Sequence, residues 1–151
     1  MSFQKIFFIN KSRLNPRLFR HKAGPLFSGG AVFRKATVTT KTNASAQTYT
    51  ASEILGGLIL RDPNGGARAD KVPTAANLIA AIPDPEVGDS FDFTIRNTAD
   101  AAETITLTAN TAMTMSGTMT IAQNNSKTFR VVITGVTSPA ATVYSLGTVV
   151  T

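Results

Sequence analysis

From Val87 to the C-terminus, apolar and polar residues alternate with a period of two. Phe91, Phe93 and Ile95 alternate with Asp92, Thr94 and Arg96, and Ile105 and Leu107 with Thr104, Thr106 and Thr108. Met113 and Met115 flank Thr114, Met119 and Ile121 flank Thr120, Phe129, Val131 and Ile133 follow, and Tyr144 and Leu146 come last. Each run reads as a strand with one dry and one wet face, because successive strand side chains point to opposite sides. The intervals are turn-like: Asn97 to Ala102, Ser116-Gly117, Gln123 to Ser126 and Gly135 to Pro139. Five or six strands spaced roughly 8–15 residues apart predict a mainly β chain, an antiparallel sandwich or jelly-roll-like domain.

Upstream the period changes. Residues 36–41, ATVTTK, read as a β-segment, and Thr42–Gln47 as a polar connector. Thr50-Ala51-Ser52-Glu53 has the form of a capping box, so a helical turn begins there and stops at Gly56-Gly57. Leu58-Ile59-Leu60 is a short buried strand, ended by the turn signal Asp62-Pro63-Asn64-Gly65-Gly66. Residues 73–82, from Pro73 to Ile82, form the clearest helix: Thr74 caps it, Leu78 and Ile82 share a face, and Pro83 and Pro85 end it. The expected body therefore carries one or two short helices.

Charge changes the picture at the N-terminus. Residues 1–41 hold nine Lys/Arg and no Asp or Glu, together with six of the nine Phe, whereas the remaining 110 residues hold six Lys/Arg against nine Asp/Glu. The net charge of +6 is thus +9 in front and −3 behind, the pattern of a basic arm on a folded domain. Disordered tails are poor in aromatics, since ordering must be offset by apolar burial. This arm is rich in them, which predicts a segment that takes its shape on another molecule. The expected organisation is an extended arm over residues 1–41 and a β-domain over 42–151. The residues expected to bind a partner are Phe7, Phe8, Lys11, Arg13, Arg17, Phe19, Arg20, Lys22, Phe27, Phe33 and Arg34. Each buried Phe contributes about 1.5–3 kcal/mol, against about 1–2 kcal/mol per residue for ordering the chain. The balance closes only on a large, preformed surface.

The search for chemistry returns little. There is no cysteine, which excludes disulfides, thiolate metal sites and Cys nucleophiles. The only histidine, His21, sits in the arm between Arg20 and Lys22, without a supporting constellation. Asp84, Glu86, Asp89 and Asp92 cluster in sequence but lack the ligand order of a calcium loop, so they read as a solvated acidic loop. Asp62 to Gly66 lacks the spacing of a phosphate loop, and Met113, Met115 and Met119 read as core filler. No catalytic, cofactor or metal residue is named and no enzyme is expected. Ile6 to Ile9 is too short to span a membrane or to form a signal-peptide core, so the sequence predicts a chain made and used without secretion. Arg96, Lys127 and Arg130 are the only cations on or near the predicted strands, so nucleic-acid binding, if present, rests on the arm and is non-specific and salt-sensitive.

Residues 48–148 contain LGGLILRDPNG, the Pro-Thr-Ala-Ala helix start, VGDSFDFTIRNTADAAETITL and the closing VYSLGT. On these stretches, about two-thirds of the chain, the sequence resembles a small β-rich domain of virion proteins, found in large icosahedral DNA viruses and tailed phages. The arm is not covered. The resemblance implies a structural part of a capsid, a minor capsid protein in the virion, made in the host cytoplasm, whose partners are the major and other minor capsid proteins. A homo-oligomer follows from such a role, a trimer where the particle has threefold symmetry. Two rivals stand beside this cement role. One is a spike or tail-fibre module whose β-domain binds a receptor or glycan, and the other is an arm that binds nucleic acid.

Overall fold

A computed structural model describes residues 36–150. The first strand, β1 (Thr37–Lys41), is built from β-branched residues that suit a pleated surface. Next comes α1 (Ala51–Leu55), opened by the expected capping box. Glu53 N–H donates to Thr50 Oγ1 at 3.3 Å, and Thr50 N–H donates back to Glu53 Oε2 at 2.8 Å. Gly56 closes the helix where a Cβ would stand 2.8 Å from the Thr37 carbonyl oxygen, so the helix end and β1 meet backbone to backbone. Gly57, at φ +91°, turns the chain into β2 (Gly57–Arg61). The Asp62 to Gly66 turn, with Asn64, Gly65 and Gly66 at positive φ, leads to β3 (Arg68–Lys71). Thr74 then caps α2 (Ala75–Ala80), its Oγ1 accepting from Asn77 N–H. The rest is strand: β4 (Ser90–Asn97), β5 (Ile105–Thr108), β6 (Met113–Ser116), β7 (Thr120–Ile121), β8 (Asn125–Gly135) and β9 (Ala140–Val150).

The chain is mainly β with two short helices, as the pattern predicts, but the expectation of a wholly antiparallel arrangement is corrected. Both sheets are mixed. The six-stranded sheet has the order β1-β2-β4-β8-β9-β6 and the three-stranded sheet β3-β5-β7. β1 with β2, β2 with β4, β6 with β9 and β3 with β5 run parallel, whereas β4 with β8, β8 with β9 and β5 with β7 run antiparallel. The physical reason lies in the connections. Parallel neighbours need a crossover rather than a tight turn, and α1 lies between β1 and β2 while β3 and α2 lie between β2 and β4. Thr37–Lys41, grouped with the arm on charge, belongs to the large sheet as an edge strand.

One core joins the two sheets. It takes Ile59, Phe93, Ile95, Phe129, Val131 and Val143 from the large sheet and Ile105, Leu107 and Ile121 from the small one, with Tyr49, Ile54 and Leu78 closing it. Phe93 and Phe129 stack with ring centroids 5.3 Å apart. Met113 and Met119 are buried in this core and Met115 packs against it, as the alternation predicts. Between Thr128 and Phe129 the β8/β9 register shifts, so that Leu146 of β9 has no opposite residue on β8.

Candidate functional site

The residues expected to bind a partner, Phe7, Phe8, Lys11, Arg13, Arg17, Phe19, Arg20, Lys22, Phe27, Phe33 and Arg34, lie outside the described residues, as does His21. The body itself offers three places to examine: a buried polar clamp, a surface groove and the open face of the large sheet.

The clamp went unnoticed in the sequence. Arg61 and Asp70 are fully buried, on β2 and β3 of different sheets. Arg61 Nε donates to Asp70 Oδ2 at 2.8 Å, and its terminal nitrogens donate to the carbonyls of Asn43, Ser45 and Asp62. Asp70 also accepts from the Gln47 N–H and the Tyr49 hydroxyl, each at 2.8 Å. Desolvation, and then the neighbouring Asp70 carboxylate, push the Tyr49 hydroxyl far above its ordinary range. Tyr49 is as buried as the pair, so no substrate reaches this hydroxyl, and the cluster ties the two sheets and the 42–49 connector together. A bulky charged residue closing a strand, as Arg61 does just before Asp62-Pro63, was the available signal.

Two further buried polar residues join the sheets. Lys127, read as a strand cation, points inward, and its Nζ donates to the carbonyls of Thr118 and Thr120 at 2.8 Å each. Desolvation lowers its pKa. The Asn97 carboxamide donates to the carbonyls of Glu103 and Ile121 and accepts from Ala99 N–H. Arg130 is held by Asp92 through two bonds of 2.8 and 2.9 Å, and Lys41 by Glu53 at 3.0 Å. Four cations of the described body are thus committed to partners within it. Asp84, Glu86 and Asp89 lie on an exposed loop, with Asp89 Oδ2 accepting from the Glu86 N–H. Among the described residues no group of three or more His, Cys, Asp or Glu is placed to hold a metal ion, and no helix is long and apolar enough to cross a membrane.

The groove, about 470 Å³, runs between the starts of α1 and α2 and is lined by Thr48, Thr50, Ser52, Thr74, Asn77 and Asn110 over Ala51 and Pro73. Its surface is mainly apolar, edged by hydroxyls and carboxamides, and carries no charged side chain. On the open face of the large sheet, Val38, Leu58 and Thr94 form one cross-strand row. Arg130 stands opposite Tyr144, which in turn stands opposite Ser116. Val38 is 54% exposed, Tyr144 41% and Leu146 49%. No family model matches the chain, and neither a curated protein nor a solved structure matches it.

Proposed function

We propose that this chain is a non-enzymatic structural protein of a virus particle, a minor capsid component whose N-terminal segment straps it to neighbouring capsid subunits. The observation that carries the proposal is the segregation of charge and phenylalanine: eight cations, no carboxylate and six Phe precede a body that begins at Thr37 and holds seven Lys/Arg against nine Asp/Glu. The likeness of residues 48–148 to virion domains gives the setting. The two sheets are read as facing layers of a jelly-roll-like sandwich, a view supported by the single core that draws on both. A homo-oligomer, a trimer at a threefold position, fits this role. The body's own chemistry agrees in kind, since its buried charges serve as fasteners between sheets. The test is incorporation. Particles assembled with the full chain retain it through gradient purification, and particles assembled with a chain lacking residues 1–34 do not. Equal retention of both forms overturns the proposal.

A second reading, a surface module that binds a neutral glycan, is favoured by the groove of hydroxyls and carboxamides beside α1 and α2. Titration of the protein with neutral oligosaccharides distinguishes it. Amide shifts confined to Thr48, Ser52 and Asn77 support the glycan reading, and unchanged spectra reject it. For the arm on nucleic acid, retention on DNA falls steeply with salt if several phosphates are neutralised. A shallow slope rejects that role.

A further inference from the structure

The turn between β2 and β3 carries Asn64 followed by Gly65, both exposed. This dipeptide is chemically labile. The glycine nitrogen meets no Cβ as it approaches the asparagine side-chain carbonyl, and asparagine is among the thermolabile residues. In this fold both reacting groups are tied down by segments distant in sequence. Gly65 N–H donates to Glu103 Oε1 at 2.7 Å, and Asn64 Nδ2 donates to the Thr42 carbonyl at 3.2 Å. Asn64 N–H donates to Asp62 Oδ1 at 2.9 Å and fixes the turn. Glu103 is 7% exposed, and its Oε2 has no hydrogen-bond partner among the described residues. Burying a carboxylate so poorly satisfied is unfavourable in itself, and the bond to Gly65 is what its side chain has in return.

We propose that Asn64 is a modification site, a self-deamidating asparagine that the fold holds closed through Glu103. In the open turn the Gly65 nitrogen gives its proton to solvent base and attacks Asn64 Cγ. The N–Cγ bond forms, the Cγ–Nδ2 bond breaks, and Nδ2 leaves as ammonia with a proton from water. Water then adds to either carbonyl of the resulting succinimide ring and opens it to aspartate or isoaspartate. Bonded to Glu103, the Gly65 N–H keeps its proton and its peptide plane, and the attack slows. Once the reaction runs, a third carboxylate stands beside Asp62 and Glu103, and like-charge repulsion weakens the bond between Gly65 and Glu103.

The test follows Asn64 by peptide mapping during incubation in mildly alkaline buffer, with the full chain folded and, in parallel, unfolded in urea. The folded chain is expected to react more slowly by about fivefold or more, the factor carried by one ordinary hydrogen bond. Glu103→Met, which keeps the volume but cannot accept from Gly65, removes most of that protection. Glu103→Gln, which still presents a carbonyl oxygen, retains it. Equal rates in folded and unfolded parent overturn the proposal whatever the variants do, and so does a folded Glu103→Met variant that reacts as slowly as the parent.

Discussion

Asp70 accepts from Gln47 N–H, the Tyr49 hydroxyl and two nitrogens of Arg61, all in the interior. Removing one member of such a pair strands the other charge, so Asp70→Ala is expected to lower stability by about 3–5 kcal/mol. Chemical denaturation checks this, and a change within error means the clamp is incidental. Tyr49 adds a pH dependence. Its hydroxyl keeps its proton in the folded chain well past the ordinary value of 10.0, so the unfolded chain binds fewer protons above that pH and stability falls as pH rises. Lys127 acts in the opposite sense. Its folded pKa lies below 10.5, so its contribution grows as pH climbs towards that value. Comparison with Tyr49→Phe separates the two. The parent loses stability relative to the variant above pH 10.0, and parallel curves reject the assignment.

At the scale of elements, local chemistry was legible and partner choice was not. The Thr50 to Glu53 capping box, the Thr74 cap and the Asp62 to Gly66 turn rest on bonds within a few residues, and each forms as the residue types dictate. Alternation identified β4 to β8 because one face of each is dry. In β9 it named the wrong face: Tyr144 and Leu146 are exposed, and the buried positions are the smaller Ala141 and Val143. β3 was missed: its sequence, RADK, is charged, and its inward Asp70 is buried only because Arg61 arrives from the other sheet. Parallel pairing was missed for a related reason, since period two says which face is buried but not which strand lies beside it. Thr50→Ala is expected to cost about 1 kcal/mol, read as a lower urea midpoint, and an unchanged midpoint rejects the cap as a stabilising device. Burial pushes the Glu53 carboxyl up, but the Thr50 N–H and Lys41 outweigh it and hold the pKa below 4.5. The stability it adds is present above that pH and lost as pH falls through the folded value. Glu53→Gln flattens that acid limb, and an unaltered limb contradicts the pairing.

For the whole molecule, the division of labour is written in charge. The body commits Lys41, Arg61, Lys127 and Arg130 to its own groups, and the proposal assigns partner binding to the segment in front. That segment was the part of the candidate site most legible in the sequence, because eight cations without a carboxylate need no fold to be recognised. The sheet-joining clamp was the least legible, because burial of Arg61 depends on three separate chain segments meeting. The claim that body and strap are separable is tested most directly by calorimetry of the chain without residues 1–34. A single cooperative transition at the midpoint of the full chain is the predicted result. A broad or missing transition would mean that the leading segment completes the body's core, and would contradict the account.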